Sequence, residues 1–308
     1  MLLNPLCLFV RESWCVSREL ISDEVWAVSG PLFPRVKSTG RPPVDGRRST
    51  VVEATAWRFR TGAPWRDIPE RLGNWNTIYK NFNRWADQGV WARVLEKVQA
   101  LAQQAGDLDW VASIDSTIVR VHQHGATLPR VTGASSNYKK FGDEPPDHAI
   151  GRSRGGLTTK NHLVCDGKGR ALAFILALGQ SADTSMLSET PEQIRVPGAA
   201  GRPRTRPDRV LADKGYPSRA NRAWLRQRGI AATIPERDDQ IAHRRRRRGR
   251  PIDFGDQQRD RYRGRNVVER CFNKLKQWRG IAMRSDKTAR NYHAGLCLAA
   301  TLHWLTSI

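Results

Sequence analysis

The sequence has little cysteine and no paired cysteine motif. Five cysteines are scattered along 308 residues, and no two of them form a CxxC pair: Cys7, Cys15, Cys165, Cys271 and Cys297. An odd count with loose spacing argues against both a disulfide framework and a thiolate zinc site. Free thiols are typical of a reducing compartment, so we expect a cytoplasmic protein.

The sequence also lacks a long apolar run. No stretch approaches the roughly eighteen uncharged apolar residues that a membrane-spanning helix needs, so we expect no membrane partner. The apolar start, residues 1–10, has no basic segment before it and no small-residue cleavage site after it, so we predict no signal peptide. Residues 1–16 resemble nothing that follows, and we interpret them as an unassigned extension.

Acidic residues are scarce relative to basic ones. The chain has 30 Asp and Glu against 52 Lys and Arg, a formal charge of +22 and a pI near 10.8. Such a surplus indicates a polyanionic partner, most often nucleic acid. Ribosomal and nucleoid proteins share this charge, but 11 Trp among 308 residues favour a larger folded body.

The first third of the chain has apolar residues at helical spacing. We predict four helices there, over residues 50–62, 64–73, 76–89 and 91–101. The second and third are joined at Gly73, and the third carries Lys80, Asn81 and Arg84 on its outward side. Two short helices around a glycine turn are typical of a helix-turn-helix that reads DNA. The alternative is a small helical bundle with a solvated face.

From Trp110 the apolar pattern changes to that of strands. The predicted order is β-β-β-α-β-α-β-α, with the first of these helices at 181–194. A Gly, Ser and Pro-rich segment, 125–156, interrupts the order and is interpreted as a functional loop or one that orders on binding. Residues 237–261 are predicted as a loop whose arginines, Arg244 to Arg248, form a phosphate-binding arm or a merely solvated run.

Two acids follow apolar strands: Asp115 in "WVASIDST" and Asp213 in "RVLADKGY". In an open α/β sheet, functional sites form at the carboxyl ends of the strands. The alternative for each Asp is to cap the following turn or helix.

A third acid, Glu269, lies in the basic stretch 262–276, "YRGRNVVERCFNKLK". On a single helix, Tyr262, Arg265, Glu269 and Lys276 would share a sector of roughly 60°. An apolar side would then bury Val268, Phe272 and Leu275. Glu269 is either a salt-bridge partner of its neighbours or a ligand for a divalent cation beside a phosphodiester.

Two Asp and one Glu supply the hard oxygen ligands that Mg²⁺ prefers. Two such ions, roughly 3.5–4 Å apart, would clamp the attacking and leaving oxygens of an in-line displacement. Asp115, Asp213 and Glu269 are therefore the candidate catalytic and metal-binding residues. We expect two Mg²⁺ per active site, for which Mn²⁺ should substitute.

The pattern Tyr-x2-Arg-x3-Glu-x6-Lys resembles the signature of bacterial insertion-sequence DDE transposases. The blocks "IDSTIVRVHQHG", "GRSRGGLTTKNHLVCDGKGR", "LADKGYPS" and "FRTGAPWRDIPERLG" resemble the family-five group of those elements. The resemblance covers residues 18–305. It departs from the group at Pro217, where Asp is frequent, so Ser218 is expected to cap the following helix. It also departs at Asn161, where an apolar residue is usual.

The resemblance implies an α/β fold with a ribonuclease-H-like catalytic domain at 106–308. An all-α helix-turn-helix domain at 17–105 would precede that domain. The resemblance also identifies Asp115, Asp213 and Glu269 as the acid triad. Tyr262, Arg265 and Lys276 carry over as residues near bound DNA.

The implied activity is transposition. The protein would bind the terminal inverted repeats of an insertion sequence, and water would attack a phosphodiester at the element end. The freed 3′-OH would then attack target DNA. We expect double-stranded DNA as partner, at the element ends and the target, and a homo-oligomer assembled on it. The rival hypotheses are a catalytically inactive regulator and a purely hydrolytic nuclease.

Smaller signals have alternatives as well. Arg152 and Arg154 would contact the DNA backbone or belong to a mobile basic loop. His122 and His124 would contact DNA or substrate water, or would be ordinary polar residues at a strand end.

Overall fold

A computed structural model describes residues 21–34, 46–131, 137–139, 144–246 and 254–307. The predicted extension, residues 1–16, lies outside the described residues.

The amino-terminal part of the described chain is helical. Its helices are α1 (Asp23–Ser29), α2 (Gly46–Thr61), α3 (Trp75–Asp87) and α4 (Val90–Gln104). The side chain of Asn74 caps α3 by accepting hydrogen bonds from the next turn. The inward face predicted for α3 is confirmed, because Ile78, Phe82 and Trp85 are all buried.

The helix predicted at 64–73 is wrong. Two short 3₁₀ turns replace it, Trp65–Asp67 and Glu70–Leu72. Pro69 lies between them, where it lacks a backbone N–H and disfavours helical geometry at Ile68. The described connection between α2 and α3 is therefore longer than the tight turn that the helix-turn-helix prediction assumed.

A seven-stranded mixed sheet follows. Its strands are β1 (Val111–Val121), β2 (Gly151–Ser153), β3 (Gly156–Cys165), β4 (Ala171–Leu178), β5 (Arg209–Leu211), β6 (Ala231–Thr233) and β7 (Met283–Arg284). One edge of β3 pairs antiparallel with β1, and the other edge pairs with β2 and β4. Beyond β1 lie β5 and β6, both parallel to it. The antiparallel strands β4, β3 and β1 are thus extended by the parallel strands β5 and β6, and the α/β class is confirmed as one with a mixed sheet.

Helices pack on this sheet. They are α5 (Arg219–Gln227), α6 (Asp238–Arg245), α7 (Asp256–Arg263), α8 (Asn266–Lys276), α9 (Arg279–Ala282) and α10 (Ala289–Leu305). Ser218 caps α5 as expected, since its side chain accepts a hydrogen bond from the Asn221 N–H. Almost every residue of α10 is buried, against α4 on one side and β4 on the other. The helical region and the sheet consequently share one hydrophobic core.

Two further predictions of local structure are wrong. The segment 181–194 forms only 3₁₀ turns, Asp183–Met186 and Pro191–Gln193. The segment 237–261 is not simply a loop, because α6 and the start of α7 lie within it. Arg244 and Arg245 belong to α6, and Arg247 and Arg248 lie outside the described residues.

None of the helices in the described ranges is long and apolar enough to cross a lipid bilayer.

Candidate functional site

The parallel register of β1 and β5 brings two acids to matching positions. Ser113 pairs with Leu211, so Asp115 and Asp213 stand two residues further along their respective chains. Asp213 follows the end of β5 as predicted. Asp115 differs from the prediction, because β1 continues to Val121 by pairing with β3. Asp115 therefore lies at the end of the parallel pairing rather than at the end of its strand.

Asp115 is largely buried and is held on both oxygens. Its Oδ1 accepts a hydrogen bond from the Ser116 N–H at 2.8 Å, and its Oδ2 accepts one from Arg265 Nη1 at 3.1 Å. Burial raises the pKa of the Asp115 carboxyl, and the negative charge of Asp213 raises it further, despite opposing contributions from Ser116 and Arg265. Negative charge is thus crowded at this point of the sheet.

Asp213 forms a turn. Its Oδ1 accepts a hydrogen bond from the Gly215 N–H at 2.8 Å. The alternative of a turn-forming Asp is therefore met in this structure, and it leaves Oδ2 available.

The helix α8 brings the third acid over the sheet. It buries an apolar side against β1 and β3, formed by Val267, Val268, Cys271, Phe272 and Leu275. Glu269 lies on the opposite, exposed side, and its Oε1 accepts a hydrogen bond from Arg265 Nη2 at 2.6 Å. Arg265 therefore connects Glu269 to Asp115, with ion pairs to both.

Lys276 contacts the same strand as Arg265. Its Nζ donates to Thr117 Oγ1 at 2.6 Å, two residues from Asp115 and on the same face of β1. Burial lowers the pKa of Lys276. Arg265, directly before α8, and Lys276, at its end, thus contact alternate residues on one face of β1, Asp115 and Thr117.

The single helix predicted over 262–276 is interrupted. Tyr262 belongs to α7, and the backbone tightens between the two helices, where the Arg265 N–H donates to the Tyr262 carbonyl at 2.9 Å. Such three-residue spacing is that of a 3₁₀ turn. Arg265 nevertheless remains beside Tyr262, with its guanidinium carbon 5.7 Å from the ring centroid. Tyr262 and Arg265 therefore stay in contact across the break.

The donor set is suited to a hard divalent cation, although no three of the described His, Cys, Asp and Glu side chains come close enough together to hold one. All three candidates are carboxylates. A positive charge already lies between two of them, in the form of the Arg265 guanidinium. A metal ion at these oxygens would require that guanidinium to move away.

The sequence analysis does not predict a polar cluster that lies on the other face of β1. Ser116 Oγ donates to Asp183 Oδ1 at 2.5 Å, and Lys160 Nζ donates to the same oxygen at 3.2 Å. Asp183 thus accepts hydrogen bonds from two different strands, β1 and β3. Nearby His162 is fully buried, and its Nδ1 lies 3.9 Å from Asp183 Oδ1, but neither ring nitrogen makes a hydrogen bond to a described residue. Burial is the main reason that the pKa of His162 is lowered to about 4. The alternation of side chains along β1 indicates that Ser116 faces away from Asp115, and this could have pointed to a second polar site.

The remaining predicted DNA-binding residues lie apart from the acids. Lys80, Asn81 and Arg84 share the outward side of α3, where Arg84 donates to Asn81 Oδ1 at 2.6 Å. Arg152 and Arg154 are exposed at the hairpin of β2 and β3. These basic residues therefore belong to elements other than those that carry the acids.

His122 and His124 follow the end of β1, seven and nine residues after Asp115. Their ring centroids are 4.9 Å apart, and both line a large groove away from the acids. They are not part of the carboxylate site.

Two family models match the chain. One, described as "Transposase DDE domain", matches residues 106–304, and the other, "Putative transposase of IS4/5 family", matches residues 21–95. The first covers more than half of the sequence. The chain belongs to the DDE transposase family.

Individual relatives agree with that assignment. The chain is 34% identical over 164 residues to a protein of Burkholderia cepacia named "Putative transposase for insertion sequence element IS402", covering 53% of this chain and 67% of that protein. It is also 35% identical over 113 residues to "Uncharacterized protein y4sN" of Sinorhizobium fredii, covering 37% of this chain and 86% of that one. Insertion elements are thus the context of the named relative.

Among solved structures, the Mos1 strand transfer complex matches at 12% identity with a TM-score of 0.22, covering 79% of this chain and 81% of that one. A TM-score of 0.22 is too low to infer a shared fold.

Proposed function

We propose that this protein is the transposase of an insertion sequence of the family-five group. It would bind the terminal inverted repeats, cleave phosphodiester bonds there, and join the freed 3′-OH to target DNA. Membership of the DDE transposase family supports a DNA-processing enzyme. The charge of +22 supports a nucleic-acid substrate.

The observation that carries the proposal is the pair of contacts made by Arg265, which joins two of the three acids, Asp115 and Glu269. Register alignment supports pairing Asp115 with Asp213, and the contacts of Arg265 support adding Glu269. An isolated salt bridge between Arg265 and Glu269 would not need a second carboxylate from another element. The antiparallel β4–β3–β1 strands followed by parallel β5 and β6 support the ribonuclease-H-like prediction for residues 106–308.

Asp115, Asp213 and Glu269 would hold the divalent metal, which we propose to be Mg²⁺. When bound, the metal supplies an activated water and offsets charge on the leaving oxygen. Burial of Asp115 keeps bulk water from one side of the site.

The chain's own cations would bind the substrate. Arg265 is released from its two carboxylates and becomes available to a DNA phosphate, which guanidinium groups bind through two parallel hydrogen bonds. Lys276, beside Thr117, would hold a flanking phosphate. Tyr262 keeps the Arg265 side chain near the site by stacking on it.

The helical region, proposed as residues 17–105, would recognise the element ends through the outward side of α3. Its exposed Lys80 and Arg84 support this role. Arg152 and Arg154 would contact the backbone of the same DNA. Assembly of a homo-oligomer on DNA belongs to the proposal as well.

Incubation of the full chain with end-containing DNA, target plasmid and Mg²⁺ tests the proposal. A transposase gives cleaved ends and joined products. A hydrolytic nuclease gives cleavage without joining, and an inactive regulator binds without cutting. Either of the last two results would refute the proposed activity.

A further inference from the structure

A large groove separates the helical region from the far end of the sheet. Its volume is about 1480 Å³, and it opens between the 3₁₀ turn at Trp65, helix α3 and the segment 282–291. Sites for small molecules commonly enclose roughly 300–1,000 Å³. The groove is therefore large enough for a segment of a polymer.

Three aromatic rings form one wall of the groove. They belong to Trp65, Trp75 and Tyr79. Tyr79 is 36% exposed, and its ring centroid lies 5.4 Å from that of Trp65. Trp65 in turn packs on buried Phe82, with ring centroids 4.9 Å apart. The core thus fixes the rings while part of their surface faces the groove.

The charge of the groove is strongly positive. Arg66, Arg279 and Lys287 line it, are exposed, and have no ion pair with any described residue. Among the described residues that line the groove, Asp286 is the one carboxylate; it is 5% exposed and is neutralised by Arg58 at 3.0 Å. These three cations therefore have no carboxylate partner within the described part of the chain.

We infer that this groove binds single-stranded DNA, with bases stacked on Tyr79 and Trp75 and phosphates held by Arg279 and Lys287. Stacking on aromatic side chains beside a basic track is how single strands are bound without sequence preference. A duplex hides the faces of its bases, so it gains nothing from rings set in a recess.

The groove is distinct from the carboxylate site. The seven residues of β1 from Asp115 to Val121 span about 20 Å, and His122 at the rim of the groove follows directly. The inference goes beyond the proposed cleavage activity and needs no metal. A chain that binds single strands here but cuts no DNA would retain the inference and refute the proposed function.

Fluorescence anisotropy with the full chain, without divalent metal, tests the inference. The probes are a labelled oligothymidine of about twelve nucleotides and a mixed-sequence duplex of about the same length. Tyr79→Ala and Trp75→Ala should each weaken oligothymidine binding by about five-fold to a hundred-fold, the usual effect of losing one stacking ring. Duplex binding should change by less than about two-fold.

Matched variants separate stacking from other effects. Tyr79→Phe keeps the ring and should bind the oligothymidine like the parent. Trp224→Ala removes a tryptophan of α5 outside the groove and should also have no effect. Lys287→Ala should lower the salt slope of oligothymidine binding by about 0.7, the value for one phosphate contact.

Parental oligothymidine binding by both folded alanine variants would overturn the inference. An equal loss for oligothymidine and duplex would overturn it too, because the groove would then hold duplex DNA. Circular dichroism melting identifies a variant that fails to fold, and in that case Lys287→Ala decides through its salt slope.

Discussion

The bridging position of Arg265 predicts two unequal coupling energies. Its pair with Asp115 joins side chains that are 15% and 21% exposed, whereas the carboxylate of Glu269 is 52% exposed. Two unit charges about 4 Å apart attract by about 1 kcal/mol in water and about 4 kcal/mol at an effective dielectric constant near 20. Partial desolvation offsets some of the larger value.

We therefore expect a coupling of about 2 kcal/mol between Arg265 and Asp115, in the lower part of the range for partly buried pairs. The coupling between Arg265 and Glu269 should be below about 0.5 kcal/mol, as for exposed pairs one helical turn apart. Urea denaturation of Arg265→Gln, Asp115→Asn, Glu269→Gln and the two double variants gives both values through double-mutant cycles.

The larger coupling should depend on pH in a defined direction. Because the pKa of Asp115 is raised in the folded protein, its charged form is disfavoured there, and Asp115→Asn should be neutral or stabilising near pH 7. On acidification the coupling with Arg265 should disappear at a higher pH than for an ordinary Asp. Equal couplings, or a stronger coupling with Glu269, would refute the bridging geometry.

Three further predictions concern other parts of the chain. Gly295→Ala should cost about 2 kcal/mol of stability in urea denaturation, because its Cβ would lie 2.8 Å from Cδ1 of buried Phe59 and nearer still to two other ring atoms; stability equal to the parent's would contradict this packing. The buried His162 has a pKa of about 4 instead of about 6.5, so the folded protein should lose about 3 kcal/mol of stability as the pH falls from about 6.5 to about 4. His162→Phe should remove this loss. An unchanged pH dependence of the urea midpoint would contradict the prediction. Lys276→Ala should lower the salt slope of duplex binding by about one, whereas an unchanged slope would show that Lys276 serves only Thr117.

Short-range patterns predicted much of the fold. The buried sides of α3 and α8 follow from apolar spacing, and the capping of α5 by Ser218 follows from one side chain near its own helix. These features depend on residues that are close in sequence, so they can be inferred from a single sequence.

Proline and glycine account for the places where predicted helices are wrong or interrupted. Pro69 and Pro191 lie inside segments that were predicted as helices, and both segments form 3₁₀ turns. Gly264 lies where the predicted helix at 262–276 divides into α7 and α8. Apolar spacing and capping residues favour a helix at these places, but they do not register the effect of an internal proline or glycine.

The candidate acids could be proposed from the sequence one at a time, but the contacts between their elements could not. Each acid was marked by its strand or helix, yet the contact of Arg265 with Asp115 joins residues 150 positions apart. The cluster around Asp183 was missed for the same reason, since its partners Ser116 and Lys160 come from two other elements.

The central claim is that Asp115, Asp213 and Glu269 form one metal site that cuts DNA. Titration calorimetry with Mn²⁺, beside cleavage gels with end-containing DNA, tests it most directly. A matched control is Asp260→Asn, which removes an exposed carboxylate of α7 paired only with Arg263 among the described residues. We predict that Asp115→Asn, Asp213→Asn and Glu269→Gln each lose Mn²⁺ binding and cleavage while DNA binding persists, and that Asp260→Asn keeps all three. A Glu269→Gln protein that binds Mn²⁺ and cleaves DNA like the parent would contradict the claim and leave Glu269 as a salt-bridge partner of Arg265.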